Sequence, residues 1–294
     1  MLVDDFESFN KKENGYMITL ENNKIRITVD PEMGMALMDF TIYNRSILNR
    51  DLKEDFLKFR KGLGPIILPH FNQESPVTFK NIDLNDKKYS GFPHIKYLQE
   101  VGVFHPFQHG IGRYIPWNYR KDNTSIIGII SGNDKINDIS LQDLNGFDFN
   151  AEVTYKLFQN YLCITIEISG EMPVASGIHF YYDIVEKQSK IALNAYDHND
   201  IVKTISLNEN HNKILKPIAD ENGFFSCLLQ TNRYNLITKF MAEEDQNKVF
   251  DSLIIFSNSD KRFVCIEPIS YEVGTKNTKL KHYGEIHLIP EILK

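Results

Sequence analysis

The stretch that decides the fold is AEVTYKLFQNYLCITIEI, residues 151–168. Its apolar residues alternate with polar ones in two runs, Ala151–Leu157 and Leu162–Ile168, and Gln159-Asn160 lies between the runs. A period of two is typical of a strand with one buried face, and two such runs around a short polar turn predict a β-hairpin. The hairpin is the first indication of an antiparallel sheet.

Strand patterns recur along the rest of the chain. Further runs lie at Ile25–Val29, Leu236–Phe240, Leu253–Phe256, Phe263–Ile266 and Glu285–Ile289. Clusters of Gly, Asn, Asp and Ser separate them, as turns do. Many short strands divided by such turns predict an all-β fold, either a large antiparallel β-sandwich or a barrel.

Helical patterns are confined to two places. Asp51–Lys61 carries apolar residues at helical spacing, with Gly62 placed as its C-terminal cap. Residues 3–12 are a second candidate for a short helix. No Pro- or Ser-rich linker, low-complexity tract or internal repeat divides the sequence. We therefore predict a single β-sandwich domain over residues 1–294, with few short helices.

The composition narrows the class of ligand. Of the 294 residues 42% are hydrophobic, which is enough for a substantial core. The formal net charge is −6, the pI is near 5.9, and basic residues form no cluster. Because nucleic-acid surfaces need clustered Lys and Arg, no nucleic-acid partner is expected. A neutral, hydroxyl-rich small molecule suits this charge balance better than a polyanion.

Cysteine usage and apolar runs bear on the compartment. Cys163, Cys227 and Cys265 are far apart and odd in number, so neither a disulfide framework nor a zinc spacing is indicated. The acidic start of the chain does not resemble a secretory signal, and the apolar runs fall far short of the ~20 residues that span a bilayer. We expect a cytoplasmic protein with no membrane partner.

One segment concentrates groups that bind and react. Residues 107–117, FQHGIGRYIPW, contain His109, two glycines, Arg113 and the only tryptophan of the chain, Trp117. Glycine lets the backbone approach a ligand, histidine exchanges protons near neutral pH, and arginine offers a fork of donors. The alternative interpretation is an ordinary surface loop over a buried tryptophan.

Three further segments combine polar groups with apolar strands. They are GLGPIILPHFN at 62–72, GIHFYYD at 177–183 and FVCIEP at 263–268. In the last of these, Glu267 ends an apolar run, where partial removal from water suits a general base. A satisfied structural residue is the alternative for each lone His or Glu.

Several chemistries are excluded by spacing. His105 and His109 are four residues apart, but Pro106 prevents the helix that would align them for zinc. No Gly-x-Ser-x-Gly nucleophile elbow occurs, and the paired glycines of 62–64 do not open a helix as a phosphate loop does. We therefore predict no metal site and no cofactor.

The order of the segments resembles one family. The matching elements are Leu-Pro-His-Phe-Asn at 68–72, His-Gly-Ile-Gly-Arg at 109–113 with Pro116-Trp117, His179 among aromatics, and Ile-Glu-Pro at 266–268. The set is similar to the galactose mutarotase (aldose 1-epimerase) superfamily over nearly the whole chain, although each motif is short. The resemblance implies that family's large antiparallel supersandwich.

The resemblance also implies roles for individual residues. Glu267 is the base at the anomeric hydroxyl, His179 the acid at the ring oxygen, and His109 a second donor to that oxygen. The implied reaction interconverts the α and β anomers of an aldose by ring opening and closure. A small sugar is then the partner, on a monomer or a weak homodimer.

Further side chains are assigned to the sugar. The expected substrate-binding residues are Asn72, Arg113, Trp117 and Asp220. Trp117 is interpreted either as a platform at the rim or as a core residue, with the core favoured. Asn72 stands where many members of the family have arginine, so their sugar preference does not transfer.

Three alternatives remain open. The same fold could carry a non-catalytic carbohydrate-binding protein. Arg60, Lys61 and Arg113 together could hold the phosphate of a hexose 6-phosphate, although a solvated helix end is the favoured interpretation of the first two. A lyase or hydrolase would need a second carboxylate facing Glu267, with Asp183 and Asp220 as candidates.

Overall fold

The computed structural model describes residues 17–72, 83, 85–92, 94–95, 106–184, 189–242, 250–271 and 278–293. The helix expected at 3–12 lies outside these ranges. The strands are β1 Ile18–Glu21, β2 Ile25–Asp30, β3 Ala36–Ile42, β4 Arg45–Ser46, β5 Ile66–Ile67, β6 Asn118–Lys121, β7 Ser125–Ser131, β8 Lys135–Ile136, β9 Ile139–Ser140, β10 Phe149–Leu157, β11 Leu162–Gly170, β12 Gly177–Ile178, β13 Tyr181–Asp183, β14 Lys190–Asp197, β15 Asp200–Ser206, β16 His211–Pro217, β17 Phe224–Gln230, β18 Tyr234–Met241, β19 Ser252–Asn258, β20 Phe263–Ile269 and β21 Lys281–Ile292.

One large antiparallel sheet dominates the molecule. Its strands follow the order β5-β12-β20-β19-β16-β14-β17-β18-β21-β11-β10-β7-β6, with β13 paired to β20 and β15 to β14. A second sheet has the order β1-β2-β3-β4, and β8 pairs with β9. The fold is therefore all-β, as predicted. The hairpin predicted from residues 151–168 is β10–β11, with Leu157 opposite Leu162 next to the turn.

The core lies between the sheets. Along β11 the alternate residues Leu162, Ile164, Ile166 and Ile168 are buried, as the period of two predicted. Tyr155 of β10 crosses the core, and its hydroxyl donates to the backbone oxygen of Met35, 2.7 Å away. That bond satisfies the one polar atom of a buried ring.

The predicted helix begins and ends differently from the expectation. A 3-10 turn, Arg50–Leu52, leads into helix α1, Lys53–Phe59, and the left-handed cap is Arg60 rather than Gly62. The N–H of Arg60 donates to Phe56 O, 2.8 Å away, and its guanidinium Nη1 donates to Leu57 O at the same distance. These bonds satisfy carbonyl groups that the helix end leaves open, so glycine is not needed there.

The remaining helices are short. Helix α2 is Leu141–Asn145, and 3-10 turns occupy Pro31–Met33, Lys87–Tyr89 and Ile111–Tyr114. Within the described ranges no helix has the length and apolar character to cross a membrane. All three cysteines are free and buried.

Candidate active site

Strand register brings His179 and Glu267 together. Glu267 lies in β20, every residue of which is buried, and His179 lies between β12 and β13. The pairs on either side are Gly177 with Ile269 and Tyr181 with Cys265. Since both pairs keep the same register, His179 falls directly opposite Glu267 on one face of the sheet. His179 Nε2 lies 3.0 Å from Glu267 Oε1.

The hydrogen bonding of His179 is incomplete. Its Nε2 is close to Glu267, but neither ring nitrogen has a partner in hydrogen-bond geometry among the described residues. The side chain is only 10% exposed, so water does not solvate it freely. A buried polar group left unpaired costs about 1–3 kcal/mol and calls for an explanation. A bound ligand with hydroxyl groups would supply the missing partners.

His109 reaches the same site from a tightly held loop. Its N–H donates to Asn72 O, 2.7 Å away, and its carbonyl accepts from Leu68 N–H. His109 has φ 63° and Gly110 has φ 88°. A Cβ on Gly110 would lie 1.8 Å from Leu68 O, so only glycine allows this approach. The imidazole rings of His109 and His179 are thereby placed 5.1 Å apart, edge to face.

The surroundings fix the charge of His109. Burial, followed by the charge of Arg113 and the nearby His179, holds its pKa well below the usual 6.5. The backbone N–H of Asn72 donates to Nδ1, 3.1 Å away. The ring is therefore neutral near pH 7, and its proton resides on Nε2. His109 offers a donor without adding a positive charge.

Arg113 is buried next to the site, close enough to act electrostatically on His109 and Glu267. Its side chain is buried, with Nε 3.4 Å from Ile66 O and Nη1 3.4 Å from Arg60 O. Burial lowers its pKa, while Tyr114, Tyr181 and Glu267 act in the opposite direction. Arg113 therefore supplies positive charge close to Glu267. A direct contact from Arg113 to a sugar stays a prediction.

Aromatic rings wall the site. Tyr181 stacks on His179 with ring centroids 4.8 Å apart, and Phe71 lies 5.2 Å from the ring of His109. Burial, followed by the proximity of Cys265 and Glu267, raises the pKa of the Tyr181 phenol well above 10. Sequence reasoning did not assign a role to Tyr181 or Phe71. The period of two from His179 to Tyr181 was the signal that could have placed Tyr181 on this face.

The expected substrate-binding residues divide into two groups. Asn72 is at the site, but it positions His109 through its backbone, while its side-chain oxygen accepts from Gln108. Trp117 lies in the core, 4% exposed, with Nε1 donating to Gly112 O. This placement agrees with the favoured interpretation of Trp117 as a core residue, and a contact with a sugar stays a prediction.

Asp220 belongs to an exposed turn between β16 and β17. Its carboxylate accepts from the N–H groups of Asn222 and Phe224, at 2.9 and 3.0 Å. These bonds stabilise the turn. Among the described residues, no recorded contact joins Asp220 to the site. Its role in sugar binding stays a prediction.

Asp183 is poorly placed as a second catalytic carboxylate. It pairs with Phe263, four residues along β20 from Glu267, which corresponds to about 13 Å. Paired glycosidase carboxylates lie about 5–5.5 Å apart in retaining enzymes and roughly 6.5–9.5 Å in inverting ones. Asp183 instead lines a different cavity with Arg233 and Tyr234. Neither it nor Asp220 supports the hydrolase interpretation.

A smaller cavity adjoins the site on its Tyr181 side. It has a volume of about 310 Å³, and its lining includes Lys61, Tyr181, Phe256 and Lys261. Burial, followed by the charge of Arg113, lowers the pKa of Lys61. Lys61 is therefore part of a cavity wall and not only a solvated helix end. His105, the other residue of the rejected zinc pair, lies outside the described residues.

Solved structures share this architecture. A galactose mutarotase related enzyme from Lactobacillus acidophilus superposes with a TM-score of 0.66 and 14% identity, over 95% of this chain and 98% of that one. A galactose mutarotase-like protein from Clostridium acetobutylicum gives 0.65 and 13%, over 95% and 96%. Another, from Lactobacillus casei, gives 0.62 and 16%, over 95% and 100%.

Sequence comparison alone does not find this likeness. No protein-family model and no curated protein matches the chain. The similarity therefore rests on the path of the backbone, which is preserved along almost the full length of each of the three proteins. By that criterion the chain has the galactose mutarotase-like fold.

Proposed function

We propose that this protein is an aldose 1-epimerase, which interconverts the α and β anomers of a sugar. One observation carries the proposal: His179, with both ring nitrogens unpaired among the described residues, lies 3.0 Å from the buried carboxylate of Glu267. Ring opening of a cyclic hemiacetal removes one proton and delivers another at two neighbouring oxygens. A carboxylate and an imidazole at this separation suit both transfers.

The proton movements balance over one turnover. Glu267 accepts the proton of the anomeric hydroxyl while protonated His179 gives a proton to the ring oxygen, and the C1–ring oxygen bond breaks. Rotation about the C1–C2 bond exposes the other face of the aldehyde. On closure His179 takes back the proton of the attacking hydroxyl and Glu267 returns its proton to the carbonyl oxygen. The enzyme ends in its starting state, without a metal or an organic cofactor.

Neighbouring groups support these steps. Neutral His109 donates through Nε2 to the ring oxygen, where negative charge develops as the bond breaks. Arg113 supplies a positive charge near Glu267. The aromatic walls formed by Phe71 and Tyr181 suit the apolar faces of a sugar ring.

The test is anomer exchange, followed by polarimetry or NMR with a panel of aldoses. Glu267→Gln keeps the shape of the side chain but cannot accept the proton, so the exchange rate should fall by about 10²–10⁴. His179→Asn should cause a comparable loss. The losses should not add in the double variant, because both groups serve one transition state.

A second candidate is a carbohydrate-binding protein on the same fold. In that case the unmodified protein would bind an aldose, and anomer exchange in its presence would be no faster than the uncatalysed reaction. If Glu267→Gln exchanges anomers as fast as the parent, Glu267 has a structural role and the epimerase assignment is wrong.

The cavity next to Tyr181 favours adding aldose 6-phosphates to the panel. Lys61 and Lys261 line it, and two ammonium groups suit an anionic substituent on the sugar. Lys261 is also 3.3 Å from Asp55, which offsets part of its charge. Faster exchange of a 6-phosphate than of the free sugar, lost in Lys61→Gln, would assign the phosphate to this cavity.

A further inference from the structure

A second cluster of reactive side chains lies on strands of the large sheet that are far from β20 in the strand order. Its members are Cys163 of β11 and Glu285 and His287 of β21. Strands β19, β16, β14, β17 and β18 separate β21 from β20, which carries Glu267. The cluster is therefore independent of the candidate active site and of the proposed function.

Antiparallel register assembles the three side chains. Cys163 pairs directly with His287, and Glu285 is two residues from His287 and so faces the same way. Since Leu162 and Ile164 point into the core, this is the outer face of the sheet. One potential ligand atom from each residue, a sulfur, a nitrogen and an oxygen, lies within 4.8 Å of the other two.

We propose that Cys163, Glu285 and His287 form a zinc site, with a solvent molecule as the fourth ligand. Thiolate, imidazole and carboxylate are the ligands that Zn²⁺ takes in proteins, at roughly 2.0–2.3 Å. Tetrahedral coordination at those lengths places the ligand atoms roughly 3.3–3.8 Å apart. The Cys163 sulfur has at most about 1–1.5 Å to approach, whereas Glu285 and His287, which are already in contact, must separate slightly. Side-chain torsions on fixed strands can supply both movements.

The surroundings suit a divalent cation. His287 Nε2 already contacts Glu285 Oε1, so these two groups point toward a common position. Their side chains are 25% and 43% exposed, which leaves a path for the ion from solvent.

Flanking lysines do not occupy this position. Lys156 is opposite Cys163, but its ammonium lies over the ring of Phe158, 5.3 Å from the centroid. Lys239 is opposite His287, and its ammonium lies over Phe224 at 4.4 Å. Both ammonium groups are directed away along the sheet, so neither lysine lies at the three ligand atoms.

The test uses Co²⁺ as a coloured substitute for Zn²⁺, titrated into the reduced full-length protein. A thiolate–cobalt bond adds a charge-transfer band in the near ultraviolet, and Zn²⁺ should displace it. Cys163→Ser should abolish the band and weaken Zn²⁺ binding by more than about 100-fold, because loss of an outer-shell partner alone costs roughly 10–100-fold. Glu285→Gln and His287→Gln should weaken binding while keeping a thiolate band at high Co²⁺.

Cys265→Ser is the matched control. Cys265 also lies near a histidine and a carboxylate, His179 and Glu267, and belongs to the second such group found among the described residues. The band should persist in this variant. If it persists in Cys163→Ser and disappears in Cys265→Ser, or if the parent shows no band, the proposal is overturned. Circular dichroism checks the folding of each variant, and Cys163→Ala replaces Cys163→Ser if the latter is unfolded.

Discussion

His109 shows how a single backbone contact can set the chemistry of a side chain. Asn72 N–H donates to Nδ1, and burial lowers the pKa of the ring, so Nε2 keeps its proton. We predict that His109 stays neutral at pH 6.5, where an ordinary imidazole is half protonated. Ring ¹⁵N chemical shifts measure this directly, and a protonation step near pH 6 would contradict the assigned tautomer and its role as a neutral donor.

Replacing Trp117 tests whether this side chain stabilises the core or contacts the sugar. In Trp117→Phe the carbonyl of Gly112 loses its donor, and an unpaired buried acceptor costs about 1–3 kcal/mol. Urea unfolding should show that loss, while the KM for the sugar stays unchanged. Unchanged stability with a raised KM would return Trp117 to the sugar site.

At the level of elements, the sequence predicted strands better than their partners. A period of two identifies the buried face of β10 and β11, but it does not state which strand lies alongside. The pairing of His179 with Glu267 depends on the register of β12 and β13 on β20. These two residues are about 90 positions apart in the sequence, so the contact between them is non-local. The family resemblance, not the periodicity, anticipated that they act together.

The same limit explains what was missed. β5 and β12 have two residues each, too few to show any period. The expectation of no metal site rested on helix and loop spacings, and such spacings do not reveal that Cys163 and His287 pair across two strands. The helix end at Arg60 was misplaced because a side chain can cap a helix where glycine was expected.

The 107–117 loop is the element whose geometry the site most needs. Gly110→Ala would place a Cβ against Leu68 O in a backbone conformation that alanine avoids, so His109 should move away from His179. We predict a fall in the anomer-exchange rate of about 10²-fold or more, as misplacement of a reacting group by 1 Å can cause.

Gly146→Ala provides the control for the loop. Gly146 has the same φ of 88°, but it caps helix α2, which carries no residue of the candidate active site. The Gly146→Ala variant should lose about 1 kcal/mol of stability and keep the anomer-exchange rate of the parent. Equal loss of rate in both variants would show that backbone strain, rather than the position of His109, is responsible.

Across the whole molecule, buried histidines make stability depend on pH. Burial lowers the pKa of His94 to about 4 and of His282 to about 3, and it lowers that of His109 well below 6.5. In the unfolded chain these rings bind protons near pH 6.5, while in the folded protein they do not. The unfolded state therefore binds more protons below that pH, and the free energy of unfolding falls as the pH falls.

Two carboxyl groups act in the opposite direction. Burial raises the pKa of Asp30 and Asp183, so these groups bind protons in the folded protein before they do so in the unfolded chain. Their contribution rises as the pH falls, which offsets part of the histidine effect. The total slope thus mixes both kinds of group, and one histidine must be removed to isolate its share.

His282 is the residue to remove, because its ring is buried next to Phe250 and away from the candidate catalytic groups. His282→Phe keeps a flat ring but cannot bind a proton. Between pH 7 and pH 5 a neutral buried histidine costs on the order of 2 kcal/mol of stability. The variant should therefore lose about 2 kcal/mol less than the parent over that range, whatever its stability at pH 7.

Urea unfolding at each pH measures both slopes, and His198→Gln, which changes a side chain 98% exposed, serves as the control. Parallel slopes for the parent and His282→Phe would show that the ring of His282 takes up a proton in the folded protein.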